Sequence, residues 1–217
     1  MKTDTQLQQD VIAELSWEPS VQSEHIGVEV KDGVVTLAGG VRSYTEKWLA
    51  ERAAQRVSGV NALTIELEVK LPGSDQRTDA DIARSVEYGL EWSTSVPAGS
   101  VKAMVEGGWV TLSGTVDWQY QRRAAADSVR YLLGVTGVSD QIAIKPEVSI
   151  GAIKDDIVAA LKRSATADAK EISVGVSGAE VTLTGKVHSW AERERAMTSA
   201  WATPGVVNVV DKMTMSY

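Results

Sequence analysis

One segment occurs three times in this chain of 217 residues, and that repetition limits the fold more than any other feature. VTLAGGV, VTLSGTV and VTLTGKV begin at Val35, Val110 and Val181, so the copies are offset by 75 and then by 71 residues. The same two offsets align ten columns that are identical in all three copies. A period of this kind is typical of repeated structural units. The chain is therefore predicted to contain three homologous domains, at residues 1–71, 76–145 and 149–217.

The four-residue difference between the two offsets lies in the connections between the copies. Leu71-Pro72-Gly73-Ser74-Asp75 follows the first copy, and the shorter Lys145-Pro146-Glu147 follows the second. Proline and glycine interrupt regular structure, so both segments are predicted to be linkers.

Each copy carries the same succession of hydrophobic patterns. Apolar residues at i, i+4 and i+8, such as Leu7, Val11 and Leu15, predict a first helix. Alternating segments then predict a hairpin, with turns at Asp32-Gly33, Gly107-Gly108 and Ser177-Gly178. A second helix with small inward residues and a last alternating segment complete the unit. The predicted fold class is α+β, with three tandem α-β-β-α-β domains, each a three-stranded sheet with two helices on one face.

Two of the identical columns are glycines. They are Gly39, Gly114 and Gly185 inside the second strand, and Gly59, Gly134 and Gly205 after the second helix. The strand glycines do not form a phosphate loop, because no G-x-x-x-x-G-K-[ST] motif follows them, and a glycine within a strand more often marks a bulge or close packing. The later column stands where a helix C-cap glycine is expected.

These motifs resemble the BON domain (bacterial OsmY and nodulation) family. The resemblance rests on the hairpin, the V-T-L-x-G-x-V strand, the Ala-rich second helix and the Gly-Val pair after it, and it covers almost the whole chain three times. It implies a non-enzymatic protein that associates with phospholipid membranes and protects the cell envelope under osmotic or other stress. The alternative is a protein-interaction scaffold or a small-ligand carrier built from three BON domains.

Residues that carry chemistry are scarce. The chain has no Cys, which excludes thiolate metal sites and cysteine nucleophiles. His25 and His188 stand at different columns without a second ligand at metal-binding spacing. The acids Glu192 and Glu194 are predicted on an exposed helical face. No catalytic, cofactor-binding or metal-binding residue is therefore predicted, and an enzyme is not expected.

Seven Trp and no Phe make the aromatic composition unusual. Five of the tryptophans share a column with a charged residue: Trp48 with Arg123 and Glu194, Trp201 with Gln55 and Arg130, Trp109 with Val34 and Glu180, and two more at the end of the first helix. Trp17 and Trp92 share a column with Arg163. A core column should stay apolar in every copy, so we expect most of these rings to lie outside the domain cores. Docking between domains, anchoring in a membrane interface and contact with a partner protein are the three alternatives.

The net charge of the chain limits which macromolecules are expected to bind it. The net charge of -7 argues against nucleic acid. The first copy has a net charge of -4, whereas the second and third have -1 and zero. If an anionic phospholipid surface binds, we expect it at the small basic clusters of the second and third copies, although a solvated helix face is the simpler interpretation of each. The cluster residues are Arg122, Arg123, Arg130, Lys162 and Arg163.

The N-terminal residues predict a location. MKTDTQLQQDVIAEL contains no apolar stretch of signal-peptide length, and no run of 18 apolar residues occurs anywhere in the chain. The expected location is the cytoplasm, with the periplasm as the alternative if a leader is missing from this chain.

Overall fold

The computed structural model describes residues 2–145, 172–203 and 205–216. In domain 1 the elements are α1 (Asp4–Trp17), β1 (Ile26–Lys31), β2 (Val34–Val41), α2 (Tyr44–Arg56) and β3 (Ala62–Val69). In domain 2 they are α3 (Asp79–Trp92), β4 (Val101–Glu106), β5 (Trp109–Val116), α4 (Gln119–Arg130) and β6 (Gly137–Ile144). In domain 3 they are β7 (Ile172–Ser177), β8 (Glu180–Val187), α5 (Trp190–Trp201) and β9 (Asn208–Met215). The predicted first helix of domain 3 lies outside the described residues.

Each domain contains a three-stranded sheet with the repeated segment in its middle strand. In domain 1 that strand, β2, pairs antiparallel with β1 and parallel with β3, and α2 makes the crossover. The other two sheets repeat this order. The α+β prediction of three repeated units is confirmed.

The domain cores are small and aliphatic. Val35 and Leu37 of β2 are fully buried, and the first-helix residues Leu7, Val11 and Leu15 close the same cluster. Ala50 and Ala54 face this cluster from α2, where their small side chains let the helix lie close to the sheet. The predicted helical stripe and the predicted inward face of the second helix are both confirmed.

Two of the three predicted hairpin turns are found where the pattern places them. Asp32 and Gly33 both have positive φ, and Asp4 at the start of α1 accepts hydrogen bonds from both of their backbone amides at 2.9 and 3.1 Å. Asp79 makes the same two bonds to the second turn. The third prediction is wrong by one residue, because Ser177 is still paired in the strand and the turn is Gly178-Ala179.

The strand glycines allow a close approach of two backbones. Gly39 has a φ of 135°, and a Cβ built on it would lie 2.2 Å from the carbonyl oxygen of His25. Gly114 repeats this contact with Ser100 at 2.1 Å. Only glycine tolerates such a contact at positive φ, so the expectation of close packing is confirmed.

The C-cap assignment for the second glycine column is wrong. Helix α2 ends at Arg56 and its C-cap is Val57, which has an extended backbone. Gly59 follows two residues later with a φ of 108°, in the turn that redirects the chain into β3. A Cβ at Gly59 would lie 3.3 Å from Leu7, so the glycine also makes room for α1.

A buried polar column at the third position of the second helix was not recognised in the sequence. It consists of Glu46, Gln121 and Glu192, exposed by 6%, 9% and 4%. Glu46 accepts hydrogen bonds from the backbone amides of Gln22 and Arg42, and Glu192 accepts one from His188. The prediction that Glu192 lies on an exposed face is therefore wrong. Its carboxylate holds the loop before α5 against the helix through this hydrogen bond.

Candidate binding surfaces

The three domains contact one another in a closed ring through the N-termini of their second helices. Tyr44 at the start of α2 packs against the core of domain 2, and Trp190 at the start of α5 packs against the core of domain 1. Gln119 at the start of α4 lines a groove together with Trp201 of domain 3. Tyr44, Gln119 and Trp190 occupy one column of the repeat. The contacts therefore run from domain 1 to 2, from 2 to 3 and from 3 to 1, in a threefold pseudo-symmetric order.

The seams between domains 1 and 2 and between domains 3 and 1 are held by aromatic side chains. Trp190 donates its indole N–H to the carbonyl oxygen of Val60 at 2.9 Å. Burial raises the pKa of the Tyr44 phenol. The neighbouring Thr45 donates to the carbonyl oxygen of Arg130 at 3.1 Å. Each seam thus combines apolar contact with a directional bond to the next domain.

Charged side chains from all three domains meet at the centre of the ring. Glu194 of domain 3 pairs with Arg52 of domain 1 at 2.7 Å and with Arg123 of domain 2 at 3.3 Å. The guanidinium carbons of Arg130 and Arg52 lie 4.0 and 5.6 Å from the centroid of the Trp48 indole. We call these five residues the axial cluster. The hydrogen bond from Arg52, with further attraction from both arginines, lowers the pKa of Glu194.

The axial cluster explains one variable column of the repeat. Trp48, Arg123 and Glu194 are equivalent residues, so each copy brings a different side chain to the same place. Three equal charges would repel one another in such a position. Instead, Arg123 and Glu194 attract each other, and the Trp48 ring attracts the guanidinium groups of Arg52 and Arg130.

The basic residues predicted for lipid binding are held in intramolecular contacts. Arg122 pairs with Asp140 at 2.7 Å, and both side chains are less than one-third exposed. Arg130 pairs with Asp127 and is exposed by only 15%, while Arg123 belongs to the axial cluster. The remaining two, Lys162 and Arg163, lie outside the described residues.

The tryptophans fall into two groups. Trp48, Trp190 and Trp201 are half-buried at the seams, and Trp201 packs against the cores of domains 2 and 3. Trp109 is 48% exposed on β5, and its ring covers Gly137 of the neighbouring strand. Trp17, by contrast, is 82% exposed at the end of α1.

Domain 2 carries a second exposed surface, which we call the outer aromatic patch. Its members are Tyr88, Trp92, Tyr131 and Leu133, exposed by 63%, 84%, 59% and 56%. Tyr88 and Trp92 are four residues apart on α3 and thus share a helical face. Tyr88, Tyr131 and Leu133 line one groove beside Arg84.

Domain 1 has no equivalent of this patch. The residues that align with Tyr88, Tyr131 and Leu133 in the first copy are Ala13, Arg56 and Ser58. The column comparison could have found them, since each is a large apolar residue where the first copy has a small or polar one. A comparison restricted to the tryptophan columns does not include them.

Comparison with known proteins identifies the family. The family signature described as "BON domain" matches residues 3–70, 78–146 and 149–217. The chain therefore belongs to the BON domain family. It is also similar to osmotically-inducible protein Y of Escherichia coli (strain K12), with 32% identity over 130 residues, which are 58% of this chain. The matched region covers 65% of that relative's length.

Two solved structures show a remote similarity. One is described as CdsD, a structural protein of the type III secretion system of Chlamydia trachomatis, with 14% identity, a TM-score of 0.27, and coverage of 96% of this chain and 91% of that one. The other is the PrgH periplasmic domain, with 13% identity, a TM-score of 0.24, and coverage of 89% and 96%. Scores this low do not establish a shared overall structure.

Two further properties concern the described residues only. None of their helices combines the length and the apolarity that crossing a bilayer requires. They also contain no group of three or more His, Asp or Glu side chains arranged to hold a metal ion.

Proposed function

We propose that this chain is a non-enzymatic stress-protection protein whose second domain rests on phospholipid membranes through the outer aromatic patch. Membership of the BON family and the similarity to an osmotically-inducible protein support the stress role. The proposed membrane contact rests on one observation, the solvent exposure of the four patch residues. The structural contacts of two neighbouring acids support the absence of catalysis, since Glu192 accepts a hydrogen bond from the backbone amide of His188 and Glu194 pairs with two arginines.

The composition of the patch suits the boundary between lipid tails and headgroups. Tryptophan and tyrosine are enriched there because their rings are apolar at one end and polar at the other. Trp92 and Leu133 supply apolar surface, while the hydroxyl groups of Tyr88 and Tyr131 can remain hydrated. Burying such a side chain contributes up to about 2 kcal/mol. Four of them give a weak, reversible association.

Charge near the patch points to contact that does not depend on anionic lipid. Glu87 and Glu91 lie on the same helix as Trp92 and are exposed, and Arg84 is paired with Asp81. Domain 2 has a net charge of -1. We therefore expect binding to zwitterionic vesicles at least as strong as binding to anionic ones. The arginine clusters would produce the opposite preference, with binding that weakens as salt rises.

Vesicle co-sedimentation tests the proposal. The purified chain is mixed with vesicles of phosphatidylcholine, alone or with phosphatidylglycerol, at low and high sodium chloride. The test variant carries Trp92→Ser, Tyr88→Ser and Leu133→Ser. Trp17→Ser is the matched control, because Trp17 occupies the equivalent position in domain 1 with equal exposure.

The two variants separate the outcomes. The proposal predicts that the wild type and Trp17→Ser pellet with phosphatidylcholine vesicles and that the triple variant remains in the supernatant. Wild-type protein that stays in solution with both vesicle types would overturn it and favour the scaffold alternative. If the protein pellets only with anionic vesicles, and the double variant Arg122→Gln, Arg123→Gln no longer pellets, the arginine cluster and not the patch binds the membrane.

A further inference from the structure

The seam between domains 2 and 3 differs from the other two seams of the ring. Tyr44 and Trp190 each insert a ring into the next domain, whereas the equivalent residue in domain 2 is Gln119. The glutamine amide is smaller than either ring and has no apolar face of comparable area. The seam between domains 2 and 3 is therefore left incompletely filled.

A groove of about 780 Å³ occupies this seam. Trp118 and Tyr120 line it from domain 2, and Trp201 and Met197 line it from domain 3. The side-chain oxygen of Gln119 is buried and has no hydrogen-bond partner among the described residues. Trp190, in contrast, donates a hydrogen bond across its own seam. A buried acceptor without a donor is costly to the protein, so a ligand that brings a donor is favoured here.

The charged residues of the groove balance one another. Arg123 is paired with Glu194, and one terminal nitrogen of Arg130 is paired with Asp127 outside the groove lining. The Nε atom of Arg130 is buried and has no hydrogen-bond acceptor among the described residues, so a ligand hydroxyl oxygen can accept from it. Asp140, also in the lining, is paired with Arg122. A charged ligand would compete with these pairs, whereas an uncharged ring would leave them in place.

We propose that the groove between domains 2 and 3 binds a flat, uncharged aromatic molecule with an N–H or O–H donor, of the indole or phenol class. The ligand takes the place that the rings of Trp190 and Tyr44 take in the other two seams. It stacks among the aromatic and Met side chains and donates to the Gln119 side-chain oxygen. This site is independent of the outer aromatic patch, which lies on other residues of domain 2.

Calorimetric titration of the full chain with indole tests the site. We expect one indole bound per chain. Gln119→Trp places a ring in the groove and should weaken indole binding at least tenfold. Gln141→Trp is the matched control, because Gln141 is an exposed glutamine of β6 in the same domain and should leave binding unchanged.

A second variant keeps the test informative if Gln119→Trp does not fold. Trp190→Ala opens the equivalent space in the seam between domains 3 and 1 and should raise the stoichiometry to two. Wild type that binds neither indole nor phenol overturns the proposal. Indole binding that survives Gln119→Trp in a folded protein also overturns it, since the molecule then binds elsewhere.

Discussion

Trp190 provides the sharpest test of the ring, because its position between domains gives it a stabilising role that exposed tryptophans lack. Truncation of a fully buried Trp to Ala costs about 3–5 kcal/mol. Trp190 is half-buried, so roughly half of that loss applies, and its hydrogen bond to Val60 adds about 1 kcal/mol. We therefore expect Trp190→Ala to destabilise the protein by about 2.5–3.5 kcal/mol. Trp190→Phe keeps most of the ring and should lose about 1 kcal/mol.

Trp17→Ala is the control for this prediction. Trp17 is 82% exposed, and substitutions at such positions stay within about 0.5 kcal/mol. Urea unfolding followed by far-ultraviolet circular dichroism compares the variants without relying on tryptophan fluorescence, which the substitutions themselves change. Equal midpoints for Trp17→Ala and Trp190→Ala would refute the reasoning, because Trp190 would then contribute nothing through its seam.

Three other perturbations test separate parts of the structure. Because Arg52 lowers the pKa of Glu194, the carboxylate stabilises the fold above its unfolded pKa of about 4.3, and this contribution is lost as pH falls through the lower folded value. Glu194→Gln should cost about 1 kcal/mol at neutral pH and progressively less as pH falls through the folded pKa in urea unfolding, and a cost independent of pH would contradict this. Gly39→Ala should lower the melting temperature far more than Gly40→Ala, since only the former puts a Cβ 2.2 Å from a carbonyl oxygen at positive φ. Similar melting temperatures would argue against that contact. Asp79→Ala removes the acceptor for two turn amides and should cost about 1–2 kcal/mol in thermal unfolding, with Asp79→Asn retaining part of it.

Most features within a domain could be predicted because they depend on neighbours close in sequence. The alternation of Val35 and Leu37 specified which face of β2 is buried, and three aligned copies made the pattern unambiguous. The shift from Ser177-Gly178 to Gly178-Ala179 shows the limit of this reasoning. Turn residues were assigned from glycine content alone, whereas strand pairing decides where the turn begins.

The buried polar column was harder to predict, because a Glu in a helix is exposed in most proteins. Glu192 is buried because the loop before the helix folds back and offers it the backbone amide of His188. The signal available was that two copies have Glu and one has Gln at the same column. A column that conserves hydrogen-bonding capacity but not charge indicates a cap rather than a solvated face.

The binding surfaces depended on contacts that no single copy contains. Trp48, Arg123 and Glu194 form one variable column, yet the column alone does not show that Arg123 pairs with Glu194 or that arginines from two domains lie over the Trp48 ring. Docking, membrane contact and partner binding all place tryptophan at variable positions. The structure assigns Trp48 and Trp201 to seams and leaves Trp17 and Trp92 exposed.

By itself, the sequence determined the number of domains, the order of elements in each copy and the aliphatic cores, because helix and strand periodicities are local and were present three times. Only the tertiary structure decided which tryptophans and arginines are buried and which residues they contact. Whether such a side chain is buried depends on which distant surface faces it, and linkers between similar domains allow several arrangements. Closure of the ring selects one of them, in which arginines pair with acids and two seams are filled by aromatic rings.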